Sequence, residues 1–145
     1  MGALMAGRKP YRILRKDGNV GVEASARTIK KVYEYAALGM CSYLWDTASV
    51  HDRSTISLEI RSHDATSLFY KFLKAILHMH QTQKLLLKKI SVPEMSEKHL
   101  RAELKGEMFD PKRHEILKEI ADLRQHGMEI KKRPQGWMAR VHFDV

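Results

Sequence analysis

Apolar residues that recur every three or four positions predict two amphipathic helices. The first helix starts after Thr28, a residue type favoured at helix N-caps, and continues to Trp45. The second starts after Asp64 and carries a broad apolar stripe from Leu68 to Met79. Because a stripe of that width can cover the face of a β-sheet, we expect both helices to pack on one sheet.

Alternating apolar and polar residues predict β-strands in the remainder of the chain. Asp17-Gly18-Asn19 is a tight-turn sequence, and it joins the first two strands into a hairpin. Pro134-Gln135-Gly136 predicts another turn, just before the terminal strand. The full set of predicted strands is Tyr11–Leu14, Val20–Ala24, Thr55–Arg61, Lys84–Val92, Leu100–Met108, Met128–Lys132 and Met138–Val145.

Residues 115–126 give an ambiguous pattern. Ile116, Ile120 and Leu123 have helical spacing, whereas strand-like alternation follows from Met128. The pattern therefore leaves both helix and strand open for this segment.

The order of the elements predicts an α+β fold in which two helices pack on a mixed, mostly antiparallel β-sheet. A chain of 145 residues has room for one such core. We assign residues 11–145 to a single domain and residues 1–10 to a basic, flexible N-terminal lead-in. We expect the terminal strand to fold back as an inner strand of the sheet, with its last two residues beside the opening hairpin.

Composition narrows the functional classes. The single cysteine, Cys41, cannot close an intrachain disulfide, and no apolar stretch approaches the roughly 18 residues of a membrane span. We expect a cytoplasmic protein without a membrane partner, in which Cys41 is a small buried hydrophobic residue. Because the chain has no glycine-rich phosphate loop, paired zinc-ligand cysteines or serine-nucleophile elbow, we predict that it is not an enzyme of those kinds.

Positive charge is concentrated near the start of the chain. The formal net charge is +9, and residues 1–31 contain eight cations and only two anions. Such a segment favours an anionic partner such as nucleic acid, although the same residues would also serve as a solvated surface. The candidate nucleic-acid or partner-binding residues are Arg8, Lys9, Arg12, Arg15, Lys16, Arg27, Lys30 and Lys31.

A candidate metal site lies at the end of the terminal strand. Asp144 is followed by Val145, whose terminal carboxylate adds a second anionic group. Carboxylate oxygens are hard ligands that suit Ca²⁺ or Mg²⁺ if a neighbouring strand supplies a further oxygen. Asp17 and Asn19 of the opening hairpin are the candidates for that ligand. The alternative is an exposed terminus that binds no metal.

Several segments, in their order and spacing, resemble the archease family over most of the chain from about Tyr11. The ending is the strongest match. The matching segments are Tyr33–Met40, Asp64–Phe69, Phe72-Leu73, Gly106-Glu107, Asp110–His114, His126–Ile130, Gly136–Val141 and Asp144-Val145.

The archease resemblance implies a small α+β accessory protein that promotes guanylylation and repeated turnover of an RtcB-type tRNA ligase without being the ligase itself. It also implies chaperone-like modulation of a tRNA cytosine-5 methyltransferase as a second role. In the family, the aspartate of the terminal strand and the C-terminal carboxylate bind a divalent cation. The resemblance thus implies Asp144 and Val145 as ligands, Ca²⁺ as the cofactor, and a strand at residues 115–126.

The chain departs from the archease pattern at three positions of this site. Asn19 stands where the first strand of the family ends in an aspartate, so one charge is lost. Arg27 replaces a residue that is usually acidic, and the family's lysine in the penultimate strand falls on Ala121. We therefore expect a weakened metal site formed by Asp144, Val145 and either Asn19 or Asp17.

Two functional hypotheses follow. The leading one is an archease-type activator of an RtcB-type RNA ligase in tRNA splicing or maturation. The alternative is a metal-independent, chaperone-like module that binds tRNA or a tRNA methyltransferase through the basic N-terminal residues.

Overall fold

The computed structural model of the protein describes residues 9–145, which form seven β-strands and two α-helices. The fold class is α+β, as predicted. In chain order the elements are β1 (Tyr11–Lys16), β2 (Asn19–Ala26), α1 (Ile29–Leu44), a short 3-10 turn (Thr47–Ser49), β3 (Ser54–Arg61), α2 (Ala65–Gln83), β4 (Leu85–Met95), β5 (His99–Met108), β6 (Asp122–Arg133) and β7 (Gly136–Asp144).

The strands form two antiparallel sheets. One sheet has the order β1-β2-β7-β6 and the other has the order β3-β5-β4. This division corrects the expectation of a single mixed sheet, and each helix contacts strands of both sheets. Alternation along a strand indicates which face is buried but does not indicate which strands pair, so the sequence pattern could not separate the two sheets.

The terminal strand β7 lies inside its sheet, between β2 and β6, as predicted. Val141 lies opposite Val22, and Phe143 lies opposite Val20, so the alternating apolar residues of the two strands share one buried face. This register fixes the end of β7 beside the β1–β2 turn. In that turn Asp17 and Gly18 have φ values of 53° and 79°, the left-handed conformation that a two-residue hairpin requires.

Helix α1 starts where the sequence predicts. The Thr28 side chain accepts a hydrogen bond from the backbone N–H of Lys31 at 3.2 Å, which satisfies one of the free amide groups of the first turn. At Gly39 a Cβ atom would lie 2.5 Å from Val22 and 3.0 Å from the ring of Tyr11. The missing side chain therefore allows α1 to pack closely on β1 and β2.

Helix α2 begins at a similar cap, because the Asp64 carboxylate accepts a hydrogen bond from the N–H of Ser67 at 2.8 Å. It ends at Lys84, which has a left-handed backbone with φ of 55°. The Tyr33 hydroxyl donates to the carbonyl of Ala65 at 2.5 Å and joins the two helices. No helix among residues 9–145 is both long and apolar enough to cross a membrane.

The ambiguous segment 115–126 is divided in the structure. Residues 122–126 belong to β6, the strand that the archease resemblance implies, whereas residues 115–121 are irregular apart from one bridge between Ile116 and Trp45. Cys41 is fully buried in the core, as predicted. Of the predicted lead-in, residues 1–8 lie outside the described residues, and Pro10 already accepts a hydrogen bond from the N–H of Ser25.

Candidate functional site

The end of β7 and the start of β2 meet at a shallow surface recess of about 520 Å³. Asn19, Asp144 and Arg124 line this recess together with His142 and the neighbouring residues of β6. Two of the four predicted metal ligands, Asn19 and Asp144, are therefore brought together, as the position of β7 between β2 and β6 requires.

A long bulge in β6 forms one wall of the recess. Arg124 pairs with His142, and the next paired residues are Glu129 and Arg140, so residues 125–128 lie opposite Val141 alone. Gly127 in this bulge has φ of 81°, a conformation that glycine adopts without strain. The bulge interrupts the edge strand directly after Arg124, and it leaves room for an exposed site beside the sheet.

The guanidinium of Arg124 connects the two predicted ligands. Its Nε atom donates to Oδ1 of Asp144 at 2.6 Å, and its Nη1 atom donates to Oδ1 of Asn19 at 3.0 Å. The Asp144 and Arg124 side chains are 51% and 43% exposed, so the pair remains accessible from solvent. The positive charge between these two predicted ligands is therefore that of the Arg124 side chain.

The other two predicted ligands lie elsewhere. Asp17 occupies the exposed hairpin turn and does not line the recess. Val145 directly follows Asp144, and it lines a separate groove of about 490 Å³ beside Phe109, Ile116 and Lys84. Among residues 9–145 no three His, Cys, Asp or Glu side chains are grouped closely enough to hold a metal ion. Ca²⁺ takes six to eight oxygen ligands, and Oδ1 of Asp144 and Oδ1 of Asn19 already accept from Arg124, so the recess in this arrangement does not fit the ion.

The outer face of the four-stranded sheet carries a row of paired charges. Glu23 on β2 accepts hydrogen bonds from Arg12 on β1 at 3.0 Å and from Arg140 on β7 at 2.5 Å. Burial raises the pKa of Glu23, but the two arginines outweigh this effect and hold the pKa below its ordinary value. Arg12, a predicted partner-binding residue, is thus engaged within the sheet.

Most of the other basic candidates also have partners within the protein. Lys30 donates to the carbonyl of Pro93 at 3.2 Å, and Lys31 forms an ion pair with Glu34 at 3.1 Å. The remaining contacts are cation–π contacts, of Lys9 with Tyr11 and of Arg15 with Tyr43.

Two of the predicted partner-binding residues differ from these. Lys16 and Arg27 are exposed and form no ion pair within residues 9–145. Arg8 lies outside the described residues. The seven described candidates lie in or next to β1 and at or just before the start of α1, and Lys16 and Arg27 are the ones most available to a partner.

A second polar cluster surrounds Glu107, which is only 6% exposed. Its carboxylate accepts from Arg113 at 2.5 Å, from His114 at 3.0 Å and from the backbone N–H of His51 at 2.6 Å, and Arg53 lies 3.3 Å away. The hydrogen bonds of Arg113, His51 and His114 outweigh burial and hold the pKa of Glu107 at about 2, against an ordinary value of 4.5.

The hydrogen bonds of His114 indicate which of its ring nitrogens donates. The backbone N–H of Asp110 donates to Nδ1 at 2.8 Å, so this nitrogen carries a free lone pair. The proton must then be on Nε2, which donates to Glu107. The fully buried imidazole therefore fixes the loop after β5 to the end of that strand.

Sequence reasoning missed the role of Arg124 and did not place the Glu107 cluster in any site. The Glu107 cluster had a signal, because Gly106-Glu107 and Asp110–His114 are among the segments that resemble archeases. No sequence signal pointed to Arg124, because its position beside Asp144 depends on the register of β6 before the bulge.

Comparison with known proteins agrees with this architecture. The family model described as the archease protein family matches residues 11–145. The solution structure of protein 1598 from Methanobacterium thermoautotrophicum superposes with a TM-score of 0.81 at 30% sequence identity, and the match covers 95% of this chain and 100% of that one.

Curated relatives extend the similarity to several organisms. Protein archease of Thermococcus gammatolerans is 31% identical over 131 residues, which is 88% of this chain and 92% of the relative. Protein archease of Pyrococcus furiosus is 28% identical with the same coverage. Protein archease of Methanosarcina acetivorans is 28% identical over 141 residues, or 94% of this chain and 97% of the relative.

Proposed function

This chain belongs to the archease family, and from that membership we propose that it is a cytoplasmic accessory protein of tRNA splicing or maturation. Its partner is an RtcB-type RNA ligase, whose guanylylation and turnover it promotes. The protein itself performs no ligation. It acts by binding the ligase, and the recess formed by Asn19, Arg124 and Asp144 belongs to the binding surface.

The observation that carries this proposal is the placement of β7. The inner position of that strand brings Asp144 to the surface beside Asn19, where the archease resemblance implies a divalent-cation site. The charged groups there are about half exposed, so they are accessible to a partner protein. Exposed charges at an interface rim steer association and favour the correct partner.

The test is a guanylylation assay with a cognate RtcB-type ligase, radiolabelled GTP and saturating amounts of this protein. We expect the wild type to increase both the guanylylated fraction and the number of ligation turnovers. Asp144→Asn should reduce the stimulation several-fold. The matched control is Asp52→Asn, which removes an exposed aspartate paired with Lys89 beside the other sheet and should leave the stimulation unchanged. No stimulation by the saturating wild type would refute the activator role.

A second candidate function is metal-independent, chaperone-like binding of tRNA or of a tRNA cytosine-5 methyltransferase. Lys16 and Arg27 favour it, because both are exposed cations without an ion-pair partner within the described residues. Phosphate contacts release counterions, so the tRNA affinity of the wild type should fall steeply as the salt concentration rises. The tRNA affinity of Lys16→Ala/Arg27→Ala should fall less steeply, because two phosphate contacts are lost. A tRNA affinity that is independent of salt would exclude phosphate binding.

A further inference from the structure

We propose that the Arg124 guanidinium is the permanent cation of the Asp144 recess, and that it excludes a divalent metal from this site. The guanidinium lies between a carboxylate oxygen of Asp144 and the amide oxygen of Asn19, at 2.6 and 3.0 Å. These two oxygens come from two different strands, β7 and β2. Arg124 therefore connects three adjacent strands of the sheet at the position where the sequence predicted a shared ion.

The shape of the guanidinium suits this arrangement. Its donors lie in one plane and point in fixed directions, so Nε and Nη1 can each serve a different acceptor at the same time. Arg124 and Asp144 have opposite unit charges, and Asn19 is neutral, so the three side chains are balanced without a metal ion. An aspartate at position 19 would leave an excess negative charge, which is the condition that favours a divalent cation.

A calcium ion would meet two obstacles here. Both oxygens already accept hydrogen bonds from Arg124, so the ion would have to displace the guanidinium or bind next to it. Binding next to it places two positive charges in contact. Displacement leaves the ion with the Asp144 carboxylate, the Asn19 amide and at most the terminal carboxylate of the adjacent Val145, fewer oxygens than the six to eight that Ca²⁺ takes.

The fold holds Arg124 in this position. The preceding residue, Leu123, is buried in the core opposite Phe143, so β6 cannot shift by one residue without exposing a leucine. Arg124 consequently remains on the outer face, in the same register as His142. Since arginine stays protonated at all physiological pH values, the cation between Asp144 and Asn19 is permanent.

Calcium titration of the full chain, by calorimetry and by thermal melting, tests the proposal without any ligase. The wild type should give no saturable heat and no rise in Tm, and Asn19→Asp, which gains a negative charge but keeps Arg124, should bind Ca²⁺ only weakly. Asn19→Asp/Arg124→Ala should bind Ca²⁺ at least ten-fold more tightly than Asn19→Asp. Asn19→Asp/Arg133→Ala is the matched control, because it removes an exposed arginine from the other end of β6 and should behave as Asn19→Asp.

Saturable calcium binding by the wild type at micromolar concentration would overturn the proposal, as would equal affinities of Asn19→Asp with and without Arg124. If the alanine double variant fails to fold, Asn19→Asp/Arg124→Gln keeps the length and the hydrogen bonding of the side chain without its charge, and it must show the same gain. A failure of ligase stimulation would refute the proposed activator role, but it would leave this calcium result intact.

Discussion

Glu107 and Asp144 are both held by arginine, but their surroundings differ sharply. Glu107 is 6% exposed and is contacted by Arg113, Arg53, His114 and a backbone amide, whereas Asp144 is 51% exposed and is held by Arg124. A buried carboxylate must satisfy its oxygens within the protein, because water cannot reach them. An exposed one can exchange protein partners for water at little cost.

The two clusters differ in the role that their surroundings allow. The Glu107 cluster joins the loop after β5 to the segment before β3, and its removal should destabilise the fold. The Asp144 recess should contribute little to folding, because its charged pair is about half exposed, and the same exposure makes the pair accessible to another molecule. The same pair of chemical groups is therefore structural in one place and available for recognition in the other.

Loss of the buried carboxylate should have the largest effect on stability. Glu107→Ala leaves His114 and the His51 amide without an acceptor. We expect the free energy of unfolding to fall by roughly 2–3 kcal/mol. This is less than the full range for a broken buried ion pair, because Arg113 and Arg53 stay partly hydrated. Urea unfolding measures this loss. Glu97→Ala removes an exposed glutamate and should change stability by less than about 0.5 kcal/mol. Equal effects of the two substitutions would contradict the structural role of Glu107.

The buried carboxylate should also give a defined pH dependence. Its pKa is about 2 in the folded protein and 4.5 ordinarily, so its stabilising effect is complete above pH 4.5 and disappears as the pH falls toward 2. Glu107→Gln cannot titrate. The difference in unfolding free energy between the wild type and Glu107→Gln should therefore shrink across that pH window. A difference that stays constant from pH 6 to pH 2.5 would show that the folded-state pKa is not depressed.

Of the two carboxylate clusters, the exposed pair should have the smaller effect on stability. Arg124→Ala should reduce the unfolding free energy by about 0.2–1 kcal/mol, the range of exposed ion pairs, and added salt should reduce the difference further. Urea unfolding at low and high ionic strength measures both. A loss as large as that of Glu107→Ala would mean that the recess is part of the folding core and would remove the distinction between the two clusters.

The sequence predicted the helices, the strands and the helix caps well, because all of these depend on residues that are close together in the chain. Thr28 and Asp64 cap the two helices as expected, and the alternation of Val20 and Val22 correctly identified the buried face of β2. The inner position of β7 was also predicted, and it brought Asn19 and Asp144 together. Separation of the strands into two sheets depends on contacts between distant segments, which periodicity does not encode.

The site could be predicted only in part. The sequence indicated which residues of β2 and β7 approach each other, but it gave no register for β6. A bulge of residues 125–128 follows Arg124, and the irregular segment 115–121 precedes the strand. Neither segment has a regular alternation, so the sequence could not predict that Arg124 pairs with His142. The occupant of the predicted cation site therefore emerged only from the structure.

The most direct test of the account compares Arg124→Ala with Arg133→Ala in the guanylylation assay at saturating protein. Both variants remove one arginine from β6, but only Arg124 contacts Asp144 and Asn19. The account predicts that Arg133→Ala stimulates the ligase as the wild type does, while Arg124→Ala loses most of the stimulation and remains folded. Full stimulation by Arg124→Ala would contradict the claim that this recess is the functional site.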